Sequence, residues 1–165
     1  NEFKKLADRK KNVLDADLIA LASDERAAVP ELWALDSLQV MCGTTGLPTA
    51  SVRLRDPDGK IRSSAALGTG PVDAAYKAID AIVQTPVELL EFGINAVTEG
   101  IDALAEASVR VRHEAQRSSH GHGADSDIVV AAAKAYIASL NQVLARAHSG
   151  RAQHPQKSLT DTPTP

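Results

Sequence analysis

The residues best placed to do chemistry are two glycine pairs, Gly68-Thr69-Gly70 and Gly121-His122-Gly123, each ahead of a stretch with helical periodicity. Glycines that open a helix expose backbone N–H groups at the positive end of its dipole, the usual cradle for a phosphate. The details exclude that use. Asp73 stands where a dinucleotide fingerprint needs its third glycine, and Lys77 comes too late for a Walker loop, whose Lys-Ser/Thr follows the last glycine directly. Asp73 in the first helical turn complements the dipole and repels phosphate, and Asp125 and Asp127 do the same at the second pair. Tight strand-to-helix turns account for the glycines. N–H groups beside a carboxylate still suit a ligand that carries both a carboxylate and an ammonium.

His120 and His122 would point the same way on a strand and could chelate a metal with Asp125 or Asp127. Thr69 is the duplicated counterpart of His122, however, and no fourth ligand is suitably spaced. The pair reads as solvated loop histidines, Asp127 with Ser126 reads as a helix cap, and no metal site is assigned. Arg53, Arg55, Arg110 and Arg112 alternate with apolar residues, which puts them on the outer faces of two strands. With no aromatics between them they form a solvated face with cross-strand Asp or Glu partners rather than a nucleic-acid surface. Cys42 has no basic neighbour to lower its pKa and reads as a buried, inert thiol. No Ser-His-Asp or Cys-His constellation is present, so no catalytic residue is assigned.

The elements that must position these residues fit one domain with short appendages. The 165 residues are 44% hydrophobic but only 3% aromatic, so a core here depends on close approach of alanine-rich elements. A net charge of −3 argues against nucleic-acid binding through the overall field, and no apolar run suggests a membrane span. The single cysteine fits a reducing compartment. No targeting segment is visible at the start; Asn1 as first residue, with Met41 the only methionine, suggests a processed or fragmentary product.

Residues 1–29 read as a short helical connector: Phe3, Leu6 and Ala7 form one stripe, and Leu18, Ile19 and Leu21/Ala22 form another behind an Asp15 cap. From residue 30 the pattern becomes strand-like, then helical at Val72, Tyr76, Ile79 and Val83. After Pro86 the same order returns. "ASVRVRHE" answers "ASVRLRDP", and "GHGADSDIVVAAAKAYI" answers "GTGPVDAAYKAI" with about one extra helical turn before its Lys-Ala. The fold expected is therefore α+β, an internal duplication of βββα units (30–85 and 86–147) related by a pseudo-twofold, with a disordered tail over 148–165.

With those units laid out, "LGTGPVDAAYKAID", "LLEFGINAVTEGIDALAEASVRVR" and "GHGADSDIVVAAAKAYIASLN" resemble the C-terminal part of 2-isopropylmalate synthase over about residues 1–146. In that family a metal-dependent (β/α)8 barrel condenses acetyl-CoA with 2-oxoisovalerate in leucine biosynthesis. A regulatory domain binds leucine and shuts the enzyme down. The resemblance implies that this chain is the connector plus that allosteric, dimerising domain. Its partners would be leucine, a second copy and the catalytic barrel, with no membrane or nucleic acid. It would be non-catalytic alone, with no cofactor of its own, the divalent metal belonging to the barrel. The location would be cytoplasmic, or the plastid stroma in a photosynthetic eukaryote. Matching positions for the leucine pocket, at the dimer interface, are Gly68, Thr69, Gly70, Val72 and Asp73; Leu89, Phe92, Ala96 and Ala103; and Gly123 and Ala124. Two rival readings share the fold: the isoleucine-sensing domain of a citramalate synthase, and a dimerisation module without an effector.

Overall fold

A computed structural model describes residues 29–96, 103–114 and 117–151. The element order is β1 (Ala34–Met41), β2 (Thr49–Arg55), β3 (Ile61–Leu67), α1 (Pro71–Val83), β4 (Glu88–Ala96), β5 (Ala105–His113), β6 (Arg117–Asp125) and α2 (Ile128–Arg151). Apart from Val29, the expected connector lies outside the described residues. Helix α2 continues through Arg151, past the position where the tail is expected to begin.

Each unit is an antiparallel meander, β1-β2-β3 or β4-β5-β6, followed by a helix that covers one face of its own sheet. This is the duplicated βββα, α+β architecture. The register fixes which residues are equivalent. Ala50 faces Ala66, while Ala107 faces Gly123, so both strands repeat at a step of 57 residues (107 less 50, 123 less 66). Lys77 and Lys134 keep that step, so the second copy has no extra helical turn before its lysine. The first strands repeat at 54 instead: Leu38 faces Val52 and Phe92 faces Val109, and bulges fall at Leu35/Ser37 and Leu89/Glu91. The extra residues of the second copy therefore sit in the β4–β5 connection.

The glycine pairs are consequently not equivalent. Gly121 and Gly123 lie inside β6 and correspond to Ser64 and Ala66, whereas Gly68 and Gly70 correspond to Asp125 and Asp127. A Cβ on Gly121 would stand 1.9 Å from the Ala135 carbonyl oxygen, and one on Gly123 would stand 2.5 Å from that of Ala131. These glycines let α2 press against its sheet and make no turn. The alanines serve the same end: Ala131, Ala132, Ala133 and Ala135 are fully buried, with Leu140, Val111, Val52, Leu54 and Ile79 supplying bulk. By length and composition Ile128–Ser149 could cross a membrane, but it is the core helix of the second unit.

The two units are joined through their helices. The Tyr76 and Tyr136 rings stack with centroids 4.2 Å apart. Tyr76 donates to the Ala132 carbonyl at 3.1 Å, and Tyr136 donates to Asp80 at 2.7 Å. Asn141 of α2 both accepts from Trp33 N–H and donates to Trp33 C=O, each at 2.9 Å, tying the start of the first unit to the helix of the second.

The outer faces carry the expected arginines with acidic partners across the strands. Arg53 and Arg55 reach Asp36 at 3.6 and 3.7 Å, Arg110 reaches Glu91 at 2.9 Å, and Arg112 pairs with Glu88. Asp36 can serve both arginines because it sits in the β1 bulge. Two expectations fail here. Cys42 is exposed, because β1 ends at Met41 and leaves it in the hairpin connection. His120 and His122 are strand residues rather than loop residues, facing Arg110 and Ser108. Among the described residues no group of three or more His, Cys, Asp or Glu is arranged to hold a metal ion.

Candidate functional site

Most of the expected pocket residues gather at the end of the domain where both helices begin. β3 delivers Gly68, Thr69 and Gly70 to the start of α1, which Val72 and Asp73 continue. The last rung of the second sheet, Ala96–Ala105–Asp125, delivers Ala96, with Ala103 and Ala124 beside it, to the start of α2. Val129 in the first turn of α2 packs with Leu38 and Val40 on the cluster of Ala50, Ala74 and Ala75, bringing the two helix starts together.

The two starts differ in chemistry. Asp127 caps α2: its Oδ1 accepts from Val129 N–H at 2.7 Å and Val130 N–H at 3.2 Å. Gly70, the equivalent cap of α1, offers no side chain, and Pro71 follows it. The first-turn amides of α1 thus meet no acceptor from their cap, at the positive end of the dipole. Gly70 also has open space where a Cβ would stand, whereas a Cβ on Gly68 would be 2.3 Å from Ala74 N. Gly68 is therefore a packing glycine, whereas the space beside Gly70 is open.

Asp73 folds back over this loop. Its Oδ2 accepts from Thr69 N–H at 2.8 Å and Thr69 Oγ1 at 3.3 Å, and pairs with Lys77 Nζ at 2.9 Å. The lysine contact first, then the Thr69 amide, hold its carboxyl below the ordinary carboxylate value. In the second unit the equivalent lysine, Lys134, pairs with Asp125 at 2.8 Å and lowers that carboxyl in the same way.

The surroundings are apolar and open. Leu67, Met41, Leu47, Ile128, Leu104 and Phe92 are all exposed large hydrophobics. Met41, Thr49 and Leu67 form one rung on the outer face of the first sheet, at the edge of this end. Strand alternation carries the signal that Leu67 faces outward, but it takes the pairing register to show Met41 in line with it. Phe92 packs edge-to-face on Tyr76 with centroids 6.2 Å apart and remains 42% exposed. Leu89 is not brought here. It lies beside Val111 at the far end of β4, about 23 Å from Ala96 at ~3.3 Å per residue. Gly123 is consumed by its contact with α2.

The model of the LeuA allosteric (dimerisation) domain matches residues 12–144. The chain belongs to the LeuA allosteric (dimerisation) domain family. Among curated proteins, it is 51% identical over 158 residues to 2-isopropylmalate synthase from Gloeobacter violaceus, covering 93% of this chain and 29% of that protein. It is 49% identical over 156 residues to the enzyme from a Picosynechococcus species, covering 94% and 29%. The LeuA-type chain thus spans less than a third of the relatives it matches. The matched region includes both sheets, α1 and α2 as far as residue 144.

Proposed function

We propose that this chain is the regulatory part of a 2-isopropylmalate synthase, binding leucine for feedback inhibition and joining two copies of the enzyme. The observation that carries the reading is the contrast between the helix starts, with α2 closed by Asp127 and α1 open at Gly70 beside exposed apolar side chains. A leucine carboxylate would accept from the first-turn amides of α1 as charge-assisted hydrogen bonds. Its side chain would enter the apolar surroundings, a burial worth about 1.5–3 kcal/mol. A second copy closing over Leu67, Met41 and Ile128 would shield both, so effector and dimer would stabilise each other. Feedback then needs only a coupling of about 1–3 kcal/mol between leucine and one arrangement of the dimer. The condensation of acetyl-CoA with 2-oxoisovalerate, and the divalent metal it uses, would belong to the barrel of the parent enzyme.

Titration calorimetry on this chain tests the reading. Leucine should bind, and Gly70→Asp, which gives α1 the same closed cap as α2, should abolish binding while the fold persists. Absence of heat at millimolar leucine would overturn it. Tighter binding of isoleucine would move the effector to that of a citramalate synthase.

A further inference from the structure

A groove-like cavity of about 470 Å³ lies along α2. Its floor is one stripe of α2, Lys134, Ile137, Ala138, Asn141 and Gln142, about 12 Å long at 1.5 Å per residue. One wall is the outer edge strand β6 from His120 to Gly123; the other is Val29, Glu31, Trp33 and Leu35. The groove is held open from its floor. Asn141 clamps the Trp33 backbone on one side, and Gln142 accepts from His120 N–H at 3.0 Å on the other. Neither wall can collapse onto the other without losing these bonds.

We infer that this groove seats the segment leading into the domain, through the apolar stripe Leu18, Ile19, Leu21 and Ala22. Three observations select that occupant. Val29, the first described residue, is itself part of the wall, so the preceding chain departs from the groove. The steps from Ala22 to Val29 span at most about 25 Å of extended chain, so the stripe is tethered within reach at high effective concentration. The family match begins at residue 12, so the stripe and the groove fall within the same matched stretch of sequence. The stripe would meet apolar side chains on two sides, Ile137 and Ala138 on the floor and Trp33 and Leu35 on the wall. The seat is independent of any effector.

The test uses the full chain with Cys42→Ser, which removes its only cysteine. Leu18→Cys with Ala138→Cys should give an intramolecular cross-link with a short bis-maleimide, and Leu18→Cys with Ser63→Cys, on the outer face of the first sheet, should give little. Trp33, the only tryptophan, provides a second readout. Leu18→Asp with Ile19→Asp should shift its emission to the red and increase acrylamide quenching at every protein concentration. Equal cross-linking at Ala138 and Ser63, or unchanged Trp33 emission, would overturn the assignment. So would cross-links between two chains, which would give the groove to a second copy.

Discussion

The Tyr136 hydroxyl donates to Asp80 at 2.7 Å while the Tyr136 ring stacks on Tyr76, so one side chain joins the two helices by both polar and apolar contact. Burial raises the Tyr136 hydroxyl pKa, with the Asp80 hydrogen bond and charge adding to it, so the hydroxyl remains a donor across the working pH range. Tyr136→Phe keeps the stack and removes only the bond. Its cost should be about 1 kcal/mol, read as a lower urea midpoint with an unchanged slope.

Asp80 makes the same contact sensitive to pH. Desolvation raises its carboxyl above the ordinary 3.8, and the Tyr136 bond only partly opposes this. The folded state therefore takes up the proton more readily than the unfolded one. The contribution of Asp80 is least favourable at neutral pH and improves as pH falls through its raised value toward 3.8. Asp80→Asn, whose amide oxygen still accepts from Tyr136, should be as stable as the parent or slightly more so at pH 7. Solvent contact at Asp80 keeps that gain below about 1 kcal/mol. Urea midpoints at pH 7 and pH 4 should show the gain shrinking at the lower pH.

The two glycines of β6 should be far less tolerant than Gly70. Gly121→Ala drives a methyl into the Ala135 backbone and must push α2 off its sheet, which should cost at least about 2 kcal/mol. Gly70 has extended backbone, with φ −155°, and open space at its Cβ position. Gly70→Ser should therefore leave the melting temperature unchanged or raise it slightly by capping α1. Thermal melts of the two variants side by side check the contrast.

Asp127 supplies the cap that α1 lacks. Asp127→Ala strands the Val129 and Val130 amides and should lower stability by about 1 kcal/mol, seen as faster hydrogen exchange in the first turn of α2.

The sequence by itself determined the duplication, the α+β class and the outward arginines. Alternation at "SVRLR" and "SVRVR" allows only one set of faces once the apolar side is buried. It also determined the start of α1 and the capping role of Asp127, because local backbone needs select those residues. Tertiary structure alone decided what each glycine is for. "GTG" and "GHG" look alike in sequence, yet one opens a turn and the other lies in a strand beneath a helix, because what each glycine meets comes from elements distant along the chain. The same holds for Leu89 and Phe92. Both lie on β4, but distance along the strand separates Leu89 from the helix starts, and only the fold shows Phe92 resting on Tyr76. Local preference sets faces and caps; the site is set by which ends of the elements meet.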